Sequence, residues 1–218
     1  MEDRLTFYHP TEEKFNVISH GIGLILSIFA CIALISYASL YGTLWHIISF
    51  TIYGMSLVLL YSASTLYHFV QEPNLRYKLN IFDHASIYVL IAGSYTPFAM
   101  NVIDGSRGWV LLMIIWTIAV FGIVFKLFFT GKYGFISTVV YILMGWLGVF
   151  GIEAIIRNLP IEATYWLIGG GISYTIGAIL FGLKMIKFNH AIFHLFVLLG
   201  SFCHFMSVFL YILPYKQI

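Results

Sequence analysis

The chain has 218 residues, 61% of them hydrophobic, 18% aromatic and only 9% charged, with a net charge of +2. A soluble domain carries about 25% charged residues, so this chain cannot cover a water-facing surface of its own, and the small net charge speaks against nucleic-acid binding. What remains is an integral membrane protein, and its surplus of eight histidines needs explaining.

A helix needs about 20 mostly apolar residues to cross a hydrocarbon core of roughly 30 Å. Seven such stretches are expected, at 17–40, 45–68, 81–100, 108–129, 134–152, 163–183 and 190–213. None alternates apolar with polar residues as barrel strands do. The expected fold is therefore an all-α seven-transmembrane helix bundle. The connections are short and residues 1–218 read as one integral membrane domain. Glu2 and Asp3 open the chain, and the first apolar run, from Val17, is too long for a signal-peptide core, so no secretory signal is expected. Cys31 and Cys203, the two cysteines, offer no disulfide framework.

Lys and Arg set the orientation. With the N-terminus cytoplasmic, the inner segments hold eight basic residues: Arg4, Lys14, Arg76, Lys78, Lys126, Lys132, Lys184 and Lys187. The outer segments hold three, Arg107, Arg157 and Lys216. The C-terminus is then external.

This direction brings distant residues to one depth. The second span ends at His68. The third begins around Asp83, and the seventh begins with His190 and His194. His190 and His194 are spaced i, i+4, so they share a helix face. A third imidazole from a facing helix completes a three-histidine site. Catalytic zinc sites use three protein ligands and leave a fourth position for water, whose pKa the metal lowers to about 7. Asp83 is placed to hold or deprotonate such a water. Ser64, four residues before His68, could donate to a developing oxyanion. Asn16 and His20, at the inner end of the first span, are expected to line the same cavity.

Plainer readings stand beside these. Asp83 could pair with Arg76 or Lys78, and Ser64 could be a small residue at a helix contact. Ionisable groups inside a membrane are costly, however, and function is their default explanation. Glu153 is expected to pair with Arg157 at i+4. Gly145, Gly148 and Gly151, and the run Gly169-Gly170-Gly171, read as close helix packing. Pro97 is expected to kink or end the third span. His84 reads as an interfacial or packing residue, and His9 and His46 as ordinary surface residues. His204 lies about 15 Å deeper than His194 and is not expected to be a ligand.

Taken together, Glu13-x-x-Asn16-x-x-x-His20, Ser64-x-x-x-His68, Asp83-His84, the GSYTPF run at 93–98 and His190-x-x-x-His194 resemble the hemolysin III family. That family is the bacterial branch of the progestin and adipoQ receptor proteins, which in turn resemble the alkaline ceramidases. The resemblance extends from about Glu12 to the C-terminus. It implies a seven-helix bundle in the bacterial plasma membrane, with zinc held near the cytoplasmic side by His68, His190 and His194. Asp83 would hold the zinc-bound water, with Ser64 beside it. It also implies a zinc-dependent hydrolase acting on a membrane lipid amide or ester, with a role in membrane homeostasis. Two other functions fit the same features: a non-enzymatic membrane sensor stabilised by zinc, and a membrane-perturbing haemolysin. The N-terminal tail is short, which argues against a receptor role.

Overall fold

The computed structural model describes residues 7–213. Helices make up nearly all of it: α1 (Pro10–Tyr41), α2 (Leu44–Phe69), α3 (Pro73–Asn101), α4 (Gly105–Phe129), α5 (Gly134–Trp146), α6 (Ile152–Asn158), α7 (Ile161–Gly182) and α8 (Asn189–Tyr211). A 3₁₀ turn, Leu147–Gly151, joins α5 to α6. Six segments are long and apolar enough to cross a membrane: α1, α2, α4, the α5–α6 unit, α7 and α8. A helix satisfies its own backbone polar groups, which hydrocarbon cannot do. Large side chains such as Phe29, Phe121, Phe135 and Leu199 face outward, while Ser49, Ser56, Ser86 and Ser207 are buried. That distribution suits a lipid surround, and the protein is integral to a membrane.

The third expected span departs from the others. α3 has 29 residues, enough to cross, but it is too polar to qualify by composition. The reason is its place in the bundle. α3 packs against α2, α4, α5 and α8, so neighbouring helices rather than lipid surround much of it. It also begins at Pro73, eight residues before the expected start, and it runs through Pro97 to Asn101 rather than ending there.

Two apolar clusters hold the bundle. One contains Leu34, Phe50, Tyr53, Leu57, Leu90 and Val197 from α1, α2, α3 and α8. The other contains Tyr88, Ala92, Ile115, Ala119 and Met144 from α3, α4 and α5. Small residues set the spacing. A Cβ on Gly54 would lie 2.9 Å from the Cα of Cys31, and one on Gly93 would lie 2.7 Å from the Cβ of Ser56. The expected glycine contacts are met unevenly. A Cβ at Gly151 would strike Ile103, and one at Gly170 would strike His204, but Gly145 and Gly169 have nothing within 4 Å. Those two sit on open faces.

The break after α5 has a local cause. The Tyr95 hydroxyl, reaching over from α3, donates to the carbonyls of Met144 and Gly145 and accepts the N–H of Gly148 at 2.7 Å. A side chain inserted into the i→i−4 ladder diverts it. The fifth segment therefore continues to Asn158 as a broken helix instead of ending at 152. Beyond the break, Arg157 pairs with Asp104 at 2.9 Å, not with Glu153 as expected. The tertiary partner from the α3–α4 connection displaces the local one.

Helix direction alternates along the chain, so α1, α3 and α8 begin at the end of the bundle where α2 finishes. That end assembles the site. Arg4 and Lys216, both used for orientation, lie outside the described residues.

Candidate metal centre

Three histidines meet there. Single nitrogens of His68, His190 and His194 all lie within 4.8 Å of one another, and all three residues are buried. The Nε2 atoms of His68 and His190 are 3.0 Å apart. His68 arrives on the last turn of α2, and His190 and His194 on the first two turns of α8.

The Nδ1 of each ring has its own partner. His68 Nδ1 lies 2.6 Å from Glu13 Oε2. His190 Nδ1 lies 3.1 Å from the Tyr8 hydroxyl, and His194 Nδ1 lies 3.4 Å from Ser19 Oγ. A carboxylate only accepts, so the Nδ1–H of His68 donates to Glu13, and Nε2 is the ring atom turned toward His190. This is the arrangement in which an outer carboxylate fixes the tautomer of a metal-binding histidine. Burial pushes the Tyr8 phenol well above its ordinary pKa, so it stays neutral. The donor set therefore fits a metal ion: three imidazoles each bring a nitrogen to one point, and the groups behind them hold their orientation.

Behind the histidines is an ionic lattice. Arg76 is fully buried at the start of α3 and donates to Glu13 Oε1. Its other amino group donates to the carbonyls of Tyr67 and Val70, both at 3.0 Å, where α2 ends. The rings of Phe7 and Tyr67 flank the guanidinium, each with its centroid 4.6 Å away. Arg76 thus pairs with Glu13, and not with Asp83 as one sequence reading allowed. Glu12 accepts the backbone N–H of His190 at 3.2 Å. The N-cap of α8 is Phe188, in the left-handed region at φ 59°, and its side chain cannot cap. A carboxylate from α1 does so instead.

The remaining sequence candidates fall around this core. Asn16 Nδ2 lies 3.4 Å from His68 Nδ1, behind the ring. His20 stacks on His194 with centroids 3.4 Å apart, and its Nδ1 meets Ser64 Oγ at 2.7 Å. Ser64 therefore reaches the triad's neighbour. Asp83 is buried, and its carboxylate lies 3.9 Å from His84 Nδ1. Tyr8 and Tyr67 pack against His68. His84 itself meets the carbonyl of Asn80 at 2.9 Å.

Sequence reading did not assign Tyr8, Glu12, Ser19 or Arg76 to the site, and it quoted Glu13 only as part of a motif. A signal was present. Glu12 and Glu13 are two adjacent acids just before a long apolar run, where charge is otherwise scarce.

Comparison with known proteins gives the family. The family model described as "Haemolysin-III related" matches residues 8–205. The chain is 49% identical to Hemolysin-3 of Bacillus cereus, covering 93% of both chains. It is 46% identical to the Hemolysin-3 homolog of Bacillus subtilis, covering 92% of this chain and 94% of that one. It is 28% identical to the human monocyte to macrophage differentiation factor, covering 94% of this chain and 87% of the other. With a multi-helix membrane fold, three converging histidines and a family match across nearly its whole length, the chain belongs to the haemolysin-III related family.

Proposed function

We propose that the protein is an intramembrane zinc-dependent hydrolase acting on a lipid amide or ester, with a role in membrane homeostasis. The observation that carries this reading is the triad itself: three buried imidazoles that each bring a nitrogen within 4.8 Å of the others, with a side-chain partner at each Nδ1. His68, His190 and His194 would hold the metal. Zinc, the metal best suited to such a set, supplies Lewis acidity and acidifies water.

The chain's own residues account for the rest of the chemistry. Glu13 keeps the His68 proton on Nδ1, and Tyr8 and Ser19 keep the other two rings in place. Asp83 takes the proton of the attacking water on its carboxylate. With the proton of His20 on Nδ1, Ser64 would accept it and keep its own O–H for the carbonyl oxygen as charge develops there. Lipid reaches the site from the bilayer between helices, and burial excludes bulk water.

α3 serves as a seventh span, and the protein lies in the plasma membrane with its N-terminus cytoplasmic and its C-terminus external. The helix alternation supports this orientation. Lys14, Arg76, Lys78, Lys126, Lys132, Lys184 and Lys187 lie at the triad end, against Arg107 and Arg157 at the other.

The test is a lipid-hydrolysis screen combined with metal analysis. His194→Ala should lose both zinc and turnover while remaining folded. Undiminished turnover in zinc-free protein sinks the proposal.

A second reading is favoured by one observation. Asp83 makes no hydrogen bond to the three histidines, so the metal could be purely structural and the protein a membrane sensor or, as the relatives' names suggest for them, a haemolysin. Asp83→Asn separates the readings. Loss of turnover with zinc retained supports chemistry, whereas no turnover by wild type or variant on any lipid supports structure.

A further inference from the structure

A groove of about 410 Å³ runs along the outer surface of the bundle between α2, α3 and α4. One face of α3 forms its floor: Lys78, Phe82, Ala85 and Val89 follow one another at i, i+4, i+7 and i+11. Leu59 of α2 and Leu127 of α4 form the sides. Phe82 is 42% exposed and Leu127 53%, so the groove opens onto lipid. From Lys78 to Val89 the helix rises about 16 Å, which matches one leaflet, half of a hydrocarbon core of roughly 30 Å.

The groove is apolar along its length and charged at one end. Lys78 stands on the second turn of α3, at the end of the bundle that carries the triad. Helical side chains lean toward the N-terminus, so its stem lies at the groove's mouth and its ammonium reaches headgroup level. The side chain is exposed, and no carboxylate among the described residues pairs with it. The nearby acids are turned elsewhere. Glu72 caps α3, accepting the N–H groups of Asn74 at 3.0 Å and Leu75 at 2.6 Å. Asp83 is buried beside His84. The other polar side chain in the wall, Ser86, donates to the carbonyl of Asp83 at 2.6 Å.

We infer that this groove binds one anionic phospholipid of the leaflet at the triad end, with an acyl chain along α3 between Leu59 and Leu127 and the phosphate accepting from the Lys78 ammonium. A hydrocarbon chain alone would fill the walls and leave the cation without a counter-charge. A zwitterionic lipid brings a phosphate already balanced by its own ammonium. The inference goes beyond the hydrolase reading and does not rest on it, because the groove lies on the lipid side of α3 and no step of hydrolysis uses it.

Brominated lipids test this through a tryptophan placed in the groove. Phe82→Trp protein in phosphatidylcholine bilayers is mixed with dibrominated phosphatidylglycerol or, separately, dibrominated phosphatidylcholine. The signal of the added tryptophan is isolated by subtracting that of the parent protein. Phosphatidylglycerol should bind there about five-fold more tightly than phosphatidylcholine, the weight of one lysine at an anionic surface. Adding Lys78→Gln should bring the ratio to one, and Lys78→Arg should keep it. Phe121→Trp, at a 71% exposed position of α4 outside the groove, should show no preference. A ratio of one in the groove, a preference that survives Lys78→Gln, or the same preference at Phe121→Trp overturns the inference. Should Phe82→Trp not fold, Leu127→Trp reads the same ratio from the side wall, with the same outcomes.

Discussion

Glu13 Oε2 lies 2.6 Å from Nδ1 of His68, a residue 55 positions away in the chain. The same carboxylate receives Arg76, so α1, α2 and α3 are joined through one buried side chain. Removing it should act on two properties at once. Outer partners of metal-binding histidines are worth roughly 10–100-fold in metal affinity. Glu13→Gln should weaken zinc binding by that order, as read by chelator competition. Glu13→Gln and Glu13→Ala both remove the buried charge, but Glu13→Ala also removes the oxygen that glutamine would keep as an acceptor. Losing an acceptor in a buried network costs about 1–3 kcal/mol, so its melting temperature should lie below that of Glu13→Gln. Equal zinc affinity in wild type and Glu13→Gln would show that His68 does not bind metal in this tautomer.

Glu12 is a cap supplied from another helix. It accepts the N–H of His190, where Phe188 offers no side-chain cap to α8. Loss of a cap costs about 1 kcal/mol. Glu12→Ala should lower stability by about that amount, and hydrogen exchange should quicken at the start of α8 while α4 is unaffected. Uniform exchange in both helices would rule out a local role.

Gly93 sets the approach of α3 to α2. An added Cβ would lie 2.7 Å from that of Ser56. Overpacking costs about 1–3 kcal/mol, and against it stands a gain of up to about 1 kcal/mol from replacing glycine in a helix. The steric cost should win, so Gly93→Ala is expected to destabilise by about 1 kcal/mol. Adding Ser56→Gly should recover part of the loss in a double-mutant cycle. Simple additivity would mean that the two residues do not clash.

At the opposite end, Asp104 accepts from Asn158 and Arg157, and these hydrogen bonds hold its carboxyl below the usual range. A lowered carboxylate pKa stabilises the fold above the unfolded value of about 3.9, and the effect is lost as pH falls through the folded value. The melting temperature of Asp104→Asn should therefore trail the wild type near pH 7, with the gap closing below about pH 4. A gap of constant size from pH 7 down through the whole carboxylate range would assign the effect to shape rather than charge.

Much of this protein can be read from its residues in order. Scarcity of charge fixes the solvent, since too few polar side chains exist to face water. Runs of about 20 apolar residues mark most of the helices because bilayer thickness sets their length. The i, i+4 spacing of His190 and His194 places two imidazoles on one face through helix geometry alone. Helix direction then brings His68 to the same end. What the order of residues did not decide was which groups stand behind those rings, and where packing overrides composition. Glu12, Glu13 and Arg76 acquire partners only when α1 closes over the ends of α2 and α8. α3 tolerates its polarity because other helices surround it, and α5 breaks because a hydroxyl from α3 enters its backbone ladder. Local pattern determines which face of a helix is apolar, but hydrogen bonds and ion pairs depend on ångström-scale positions between helices. Only the assembled bundle sets those positions.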